Sequence, residues 1–208
     1  MKMNLPNKLT VLRLCMVPAI IIVLLLPVTW ITNVLGALIF LAASLTDMFD
    51  GKIASTMERT KQEKRFGIQI DSLSDIICFG VLPALIVLEA NKDSLLYILI
   101  SATYLLCALI RLAWFNVNEE ERQDSEEGSR KEYLGLPVTT SALGIPLFMG
   151  IGNLFSLPLD KVYPWLLLGM GVAFLTPFRL KKPRLVGKLI LIALGGACLA
   201  LVLIGVPT

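Results

Sequence analysis

The charged residues of this sequence are so clustered that seven apolar segments are left nearly free of them. These are Leu9–Val28, Ile31–Ala54, Phe66–Ala90, Ser94–Val117, Pro137–Phe155, Val162–Phe178 and Leu189–Val206. Each is roughly long enough to cross about 30 Å of hydrocarbon at about 1.5 Å per helical residue. Only 17% of the 208 residues are charged, where soluble domains carry about 25%, and the mean hydropathy is +0.76. The expected fold is all-α: a polytopic membrane helical bundle of about seven transmembrane helices, forming a single domain over residues 1–208. Pro146, Pro164 and Pro177 can kink or shorten the fifth and sixth segments, so six to eight spans fit the pattern.

Lysine and arginine set the orientation. With the N-terminus in the cytoplasm, 17 of the 19 fall on the cytoplasmic side, leaving only Lys92 and Lys161 opposite. The expected location is the cell (inner) membrane, with seven spans placing the C-terminus outside. No small-x-small cleavage site follows the first apolar run, which therefore does not read as a cleaved signal. Segment 118–135 holds seven acidic residues and reads as a solvated, mobile cytoplasmic loop. The net charge of +3 is not a nucleic-acid footprint. Cys15, Cys78, Cys107 and Cys198 lie unpaired in apolar stretches and read as small hydrophobes. There is no histidine, so a general base must be a carboxylate, lysine, tyrosine or cysteine.

Four of the seven aspartates fall at the edges of apolar segments. Asp47 and Asp50 lie near the cytoplasmic end of the second segment, Asp71 and Asp75 near the start of the third. Spacings of three and four place each pair on one helix face. Four converging carboxylates repel one another and resist desolvation, so they need either protons or a counter-charge. Nearby cations are Lys52 and the loop residues Arg59, Lys61, Lys64 and Arg65. One or two divalent ions neutralise such a cluster better, and hard oxygen ligands suit magnesium or manganese. A plainer reading makes these residues helix ends and surface acids, with Gly51 as a helix stop. Small residues around the acids, among them Gly51, Ala54 and Gly67, allow either close approach of a phosphate or close helix packing.

The run Asp47-Met-Phe-Asp50-Gly51-Lys-Ile-Ala54, followed by Gly67-Ile-Gln-Ile-Asp71-Ser-Leu-Ser-Asp75, resembles the signature of the CDP-alcohol phosphotransferases. Seven of its eight fixed positions agree. Ser55 stands where the family has arginine, and the spacer of eleven residues from Ser55 to Gly67 is longer than usual. Arg59, Lys61, Lys64 and Arg65 on that spacer are candidates to replace the arginine.

The resemblance implies a mechanism. Divalent metal, Mg2+ or Mn2+, would be held by Asp47, Asp50, Asp71 and Asp75, with Asp75 also accepting the proton of the acceptor hydroxyl. Gly51, Ala54 and Gly67 would line the site for the cytidine diphosphate lipid, and Arg13 is a candidate for its phosphate. Asp71-Ser-Leu-Ser-Asp75, Phe79-Gly80-Val-Leu-Pro83, Arg111-Leu-Ala-Trp-Phe115-Asn116 and Gly135-Leu136-Pro137 are most similar to family members that use L-serine. They imply CDP-diacylglycerol and L-serine as substrates, Arg111 and Asn116 as the serine-binding pair, and a homodimer within membrane lipids. The opening Pro6-Asn7-Lys-Leu-Thr10-Val-Leu-Arg13 is similar instead to members that use glycerol 3-phosphate. An ion or proton transporter is the reading from a different class; it calls for acids spread through the membrane depth, whereas these four sit near one face.

Overall fold

A computed structural model describes residues 5–26, 42–47, 53, 56–90, 93–125, 132–181, 193–194, 196–197 and 200. Over these residues the chain is helical except for one short two-stranded ribbon. Helix α1 spans Leu5–Leu25 and the helical residues 42–47 form α2. Helix α3 spans Lys61–Asp75, passes through a π-helical turn at Ile76–Val81 and continues as α4 over Leu82–Ala90. Helix α5 spans Leu95–Ser125, α6 Ser141–Leu154 and α7 Leu159–Leu175. Helices therefore stand at five of the seven apolar segments; the second and seventh lie largely outside the described residues.

The start of α3 is fixed locally. The Thr60 hydroxyl accepts from the Glu63 amide at 3.2 Å, while the Thr60 amide donates back to Glu63 Oε2 at 2.9 Å. This reciprocal cap satisfies amides that a helix start otherwise leaves open. The π turn also has a local cause. Pro83 has no N–H for the carbonyl four residues back, and its ring crowds that carbonyl, which belongs to Phe79 inside the turn.

Two continuous runs of 28 residues, Lys61–Leu88 and Leu95–Arg122, are long and apolar enough to cross a membrane. Helix α5 leaves Leu99, Leu106, Leu109, Ile110 and Trp114 exposed, an apolar surface suited to lipid rather than water. Its other face packs Tyr104 and Ala108 against Phe79 and Val87 of the α3–α4 rod and Leu167 and Phe174 of α7. Gly171 allows the close approach: a Cβ there would stand 3.4 Å from the Tyr104 Cα. Helices α6 and α7 have 14 and 17 residues, about 21 and 26 Å at 1.5 Å per residue. Pro137, Pro158 and Pro177 flank them, and internal Pro146 and Pro164 are carried within the helices.

Within the acidic segment 118–135, expected as a loop, residues 118–125 are helical, and 126–131 lie outside the described residues. Helix α5 runs on through Ser125, and Glu132–Leu134 (β1) pairs antiparallel with Arg179–Lys181 (β2). Glutamate and arginine are good helix formers, and Arg122 bonds Glu119 one turn earlier at 2.5 Å. A further bond from Gln69 to Glu120 at 3.3 Å ties this extension to α3. Cys78 and Cys107 are buried as expected; Cys15 is exposed, and Cys198 lies outside the described residues.

Candidate functional site

Helix α1 carries a polar line on one face of a largely apolar sequence. Asn7, Thr10 and Arg13, three residues apart, are all buried, and this line faces α3. The Thr10 hydroxyl donates to the Pro6 carbonyl at 3.3 Å and the Asn7 amide to the Glu63 carbonyl at 3.5 Å. Arg13, fully buried, reaches all three described aspartates of the signature. Its Nη1 donates to Asp47 Oδ1 and lies 3.0 Å from Asp75 Oδ1. Its Nη2 donates to Asp71 Oδ1 at 2.6 Å and to the Asp71 carbonyl at 3.4 Å.

Asp47, Asp71 and Asp75 offer oxygens that all lie within 4.8 Å of one another. The Asp75 side chain is 10% exposed, Asp47 19% and Asp71 41%, so the cluster opens on the Asp71 side. Among the described residues one guanidinium stands against three carboxylates, so a divalent cation would offset the remaining negative charge of the ionised cluster. Magnesium binds oxygen at about 2.0–2.1 Å, so ligand oxygens on one ion stand at most about 4.2 Å apart. Oxygens within 4.8 Å of one another need at most a small contraction, and the donors are the hard oxygens such an ion selects. The residues fit a divalent metal. Asp50, the fourth expected ligand, lies outside the described residues, as do Gly51 and Ala54.

Gly67 lies one turn before Asp71, where two side chains close over it. A Cβ at this position would meet Asn7 Oδ1 at 3.0 Å and an Arg59 Nη1 at 3.4 Å. Of the four spacer cations, Arg59 is thus the one folded onto the glycine of the signature. Burial pushes its guanidinium below the ordinary arginine value, with Glu63 opposing. Lys61 and Arg65 line an open groove of about 520 Å³ with Gln62, Phe66 and Gln69.

Asn116 joins the aspartate helix through one contact: the Ser72 hydroxyl, next to Asp71, donates to its Oδ1 at 2.6 Å. Arg111 is buried, lies 5.8 Å from the Phe115 ring centroid, and donates from Nε to the Leu136 carbonyl at 3.1 Å. Gly135 turns the chain there at φ +80°, a conformation suited to glycine. Asn7, Thr10 and the Thr60–Glu63 cap were not anticipated as parts of this site. Their signals were present as a three-residue polar spacing and a Thr-x-x-Glu pattern before an apolar run.

The family model for CDP-alcohol phosphatidyltransferases matches residues 3–176. This chain belongs to that family. CDP-alcohol phosphatidyltransferases are membrane-bound transferases of phospholipid biosynthesis and are generally dependent on divalent metal, in keeping with the apolar helices and the aspartate cluster. The chain is 35% identical over 96 residues to the CDP-diacylglycerol–serine O-phosphatidyltransferase of Saccharomyces cerevisiae, a match covering 46% of this chain and 34% of the yeast protein. It is 35% identical over 114 residues to the archaetidylserine synthase of Methanothermobacter thermautotrophicus, covering 54% of this chain and 45% of that protein. It is also 37% identical over 86 residues to the CDP-diacylglycerol–glycerol-3-phosphate 3-phosphatidyltransferase of Escherichia coli K12, covering 41% and 45%. The matches span less than half the length of each of these relatives. No solved structure matches the chain.

Proposed function

We propose that this CDP-alcohol phosphatidyltransferase moves the phosphatidyl group of CDP-diacylglycerol to the hydroxyl of L-serine, giving phosphatidylserine and CMP. The observation that carries the reading is the convergence of Asp47, Asp71 and Asp75 on one point beside Arg13. In the reaction the serine oxygen forms a bond to the lipid-side phosphorus, the bond from that phosphorus to the CMP oxygen breaks, and CMP leaves. Asp75, the least exposed of the three, takes the proton from the serine hydroxyl. Arg59 and Gly67, with Gly51 and Ala54, receive the cytidine diphosphate moiety, and Arg13 holds the carboxylates in place through its bonds to them. A divalent metal bound by Asp47, Asp50, Asp71 and Asp75 supplies charge neutralisation for the pyrophosphate and the leaving CMP.

Serine as acceptor is supported by Arg111 and Asn116, which offer a cation for its carboxylate and an amide for its polar groups. Two relatives are named as serine-using or archaetidylserine-forming enzymes. The second reading, glycerol 3-phosphate as acceptor, is favoured by the Escherichia coli relative and by the Pro6–Arg13 opening, whose Asn7, Thr10 and Arg13 form the buried line facing α3. We further propose a single domain of seven spans, with N-terminus and active site on the cytoplasmic side of the cell membrane, assembled as a homodimer. The test is CMP release from CDP-diacylglycerol with L-serine or glycerol 3-phosphate, followed by identification of the lipid formed. Release with L-serine and formation of phosphatidylserine is expected; preferential formation of phosphatidylglycerophosphate overturns the serine assignment.

A further inference from the structure

Two polar rungs join α3 to α5. Gln69 and Ser72, three residues apart, share one face of α3, and Asn116 and Glu120, four apart, share one face of α5. Across the seam Gln69 donates to Glu120 Oε1 at 3.3 Å, and the Ser72 hydroxyl donates to Asn116 Oδ1 at 2.6 Å. Ser72 follows Asp71 by one residue, about 100° around the helix. Helix α3 thus turns Asp71 to Arg13 of α1 and Ser72 to α5. The Asn116 rung stands one residue from Asp71, the most exposed carboxylate of the cluster.

The short separation fixes which way the Asn116 amide faces. Bonds from N–H to oxygen measure about 2.7–3.2 Å, whereas those from O–H to oxygen reach down to about 2.5 Å. At 2.6 Å the Ser72 hydroxyl therefore meets the amide oxygen and not its nitrogen. A carboxamide carries its donors on nitrogen and its acceptors on oxygen. With the oxygen held by Ser72, the end left for a ligand is the N–H2, which has no protein partner among the described residues. Ser72 and Asn116 are both half-buried, so the group is shielded without being sealed. Charge decides what it can serve. An ammonium is drawn to the carboxylates directly, whereas an anionic group is repelled by them and needs donors to approach.

We infer that Ser72 is a specificity-determining positioning residue: by holding the Asn116 oxygen, it turns the amide N–H2 to the anionic group of the acceptor, the carboxylate of L-serine. This rests on reading L-serine as the acceptor; the phosphate of glycerol 3-phosphate would call on the same donors.

The experiment is steady-state CMP release by detergent-purified full-length protein, with acceptor and CDP-diacylglycerol varied in turn and melting temperatures recorded. At about pH 8 a half-exposed carboxyl is ionised. Asn116→Asp then keeps the shape and the oxygen for Ser72 but exchanges the donors for a second, charged oxygen. It is expected to raise the KM for L-serine about tenfold or more, the scale of a lost hydrogen bond to a charged group, and to leave the KM for CDP-diacylglycerol unchanged. Its kcat/KM for 2-aminopropane-1,3-diol, which has the hydroxyl and the ammonium without the carboxylate, should rise relative to that for L-serine. Ser72→Ala frees the amide to turn over and should raise the L-serine KM about threefold; Ser72→Thr, which keeps the hydroxyl, should not. A parental or lower L-serine KM in Asn116→Asp overturns the inference, because the amide then serves the ammonium or nothing. A parental KM in Ser72→Ala, or Ser72→Thr behaving like Ser72→Ala, also overturns it. So does a parallel rise of both KM values with a lower melting temperature. If the parent protein uses glycerol 3-phosphate instead, the serine reading fails, and the KM for glycerol 3-phosphate in the same three variants decides the inference by the same outcomes.

Discussion

Arg13 and Asp71, 58 residues apart in sequence, meet at 2.6 Å between α1 and α3. The same guanidinium bonds Asp47 and lies 3.0 Å from Asp75, so one permanent cation organises three acids. Removing one partner from such a buried arrangement typically costs about 3–5 kcal/mol. Arg13→Gln is therefore expected to lower the melting temperature sharply in the presence of chelator. Mg2+ should restore more of that loss than it adds to the parent protein, because the metal then carries all of the neutralisation. Equal Mg2+-induced shifts in the two proteins would show that Arg13 and the metal do not share these carboxylates.

Metal removal tests the cluster directly. Excess chelator should abolish CMP release, and Mg2+ or Mn2+ should return it. Asparagine at Asp47, Asp50, Asp71 or Asp75 should each lower kcat at least about 100-fold, the scale seen when a charge-stabilising group is removed. Two of these variants retaining full activity would be incompatible with a shared metal centre.

Arg59 is expected to matter more than its basic neighbours, because it alone of the four spacer cations is placed against Gly67. Arg59→Ala should raise the KM for CDP-diacylglycerol about fivefold, the equivalent of about 1 kcal/mol for a partly exposed charge contact. Lys61→Ala, Lys64→Ala and Arg65→Ala should have smaller effects. Ser55→Arg should compensate for Arg59→Ala by returning a cation to the position where the family carries one. Steady-state kinetics with CDP-diacylglycerol varied at saturating acceptor decides the ranking.

Arg111→Ala should raise the KM for L-serine far more than that for CDP-diacylglycerol. A lost charge-assisted hydrogen bond is worth about 1.5–3 kcal/mol, or about tenfold to 150-fold. Because Arg111 also bonds the Leu136 carbonyl, melting curves must accompany the kinetics. If both KM values rise in parallel with a fall in melting temperature, Arg111 serves the loop and not the acceptor.

The Asp71–Asp75 pair was legible in the sequence because a spacing of four dictates a shared helix face. Their meeting with Asp47 was implied by the resemblance, which makes these aspartates ligands of one metal. Arg13 was legible only as a candidate for the lipid phosphate; its burial and its bonds to the carboxylates depend on the rotation of α1 against α3, which no periodicity in either helix specifies. The continuation of α5 to Ser125 was hidden by acidity: a run of like charge reads as a solvated loop until Arg122 and Gln69 are seen to take up Glu119 and Glu120. The π turn was signalled by Pro83, yet a proline within an apolar run predicts a kink as readily. The Phe79 carbonyl inside the turn accepts from the Tyr104 hydroxyl at 2.6 Å, a contact brought in from a distant segment that no local pattern announces.

The Thr60–Glu63 cap bears on how the spacer before α3 can change over time. Since the helix is started by its own first turn, the distances from Thr60 to Asp71 and Asp75 are independent of how many residues precede the cap. Lengthening a flexible connection is cheap, about 0.6 kcal/mol for a doubling. Insertions upstream of Thr60 can therefore accumulate as near-neutral variation, whereas a single inserted residue between Glu63 and Asp71 would turn the acids away from Arg13. Of the spacer between Ser55 and Gly67, residues 56–59 lie on the tolerant side of that boundary and the remainder belongs to the capped helix.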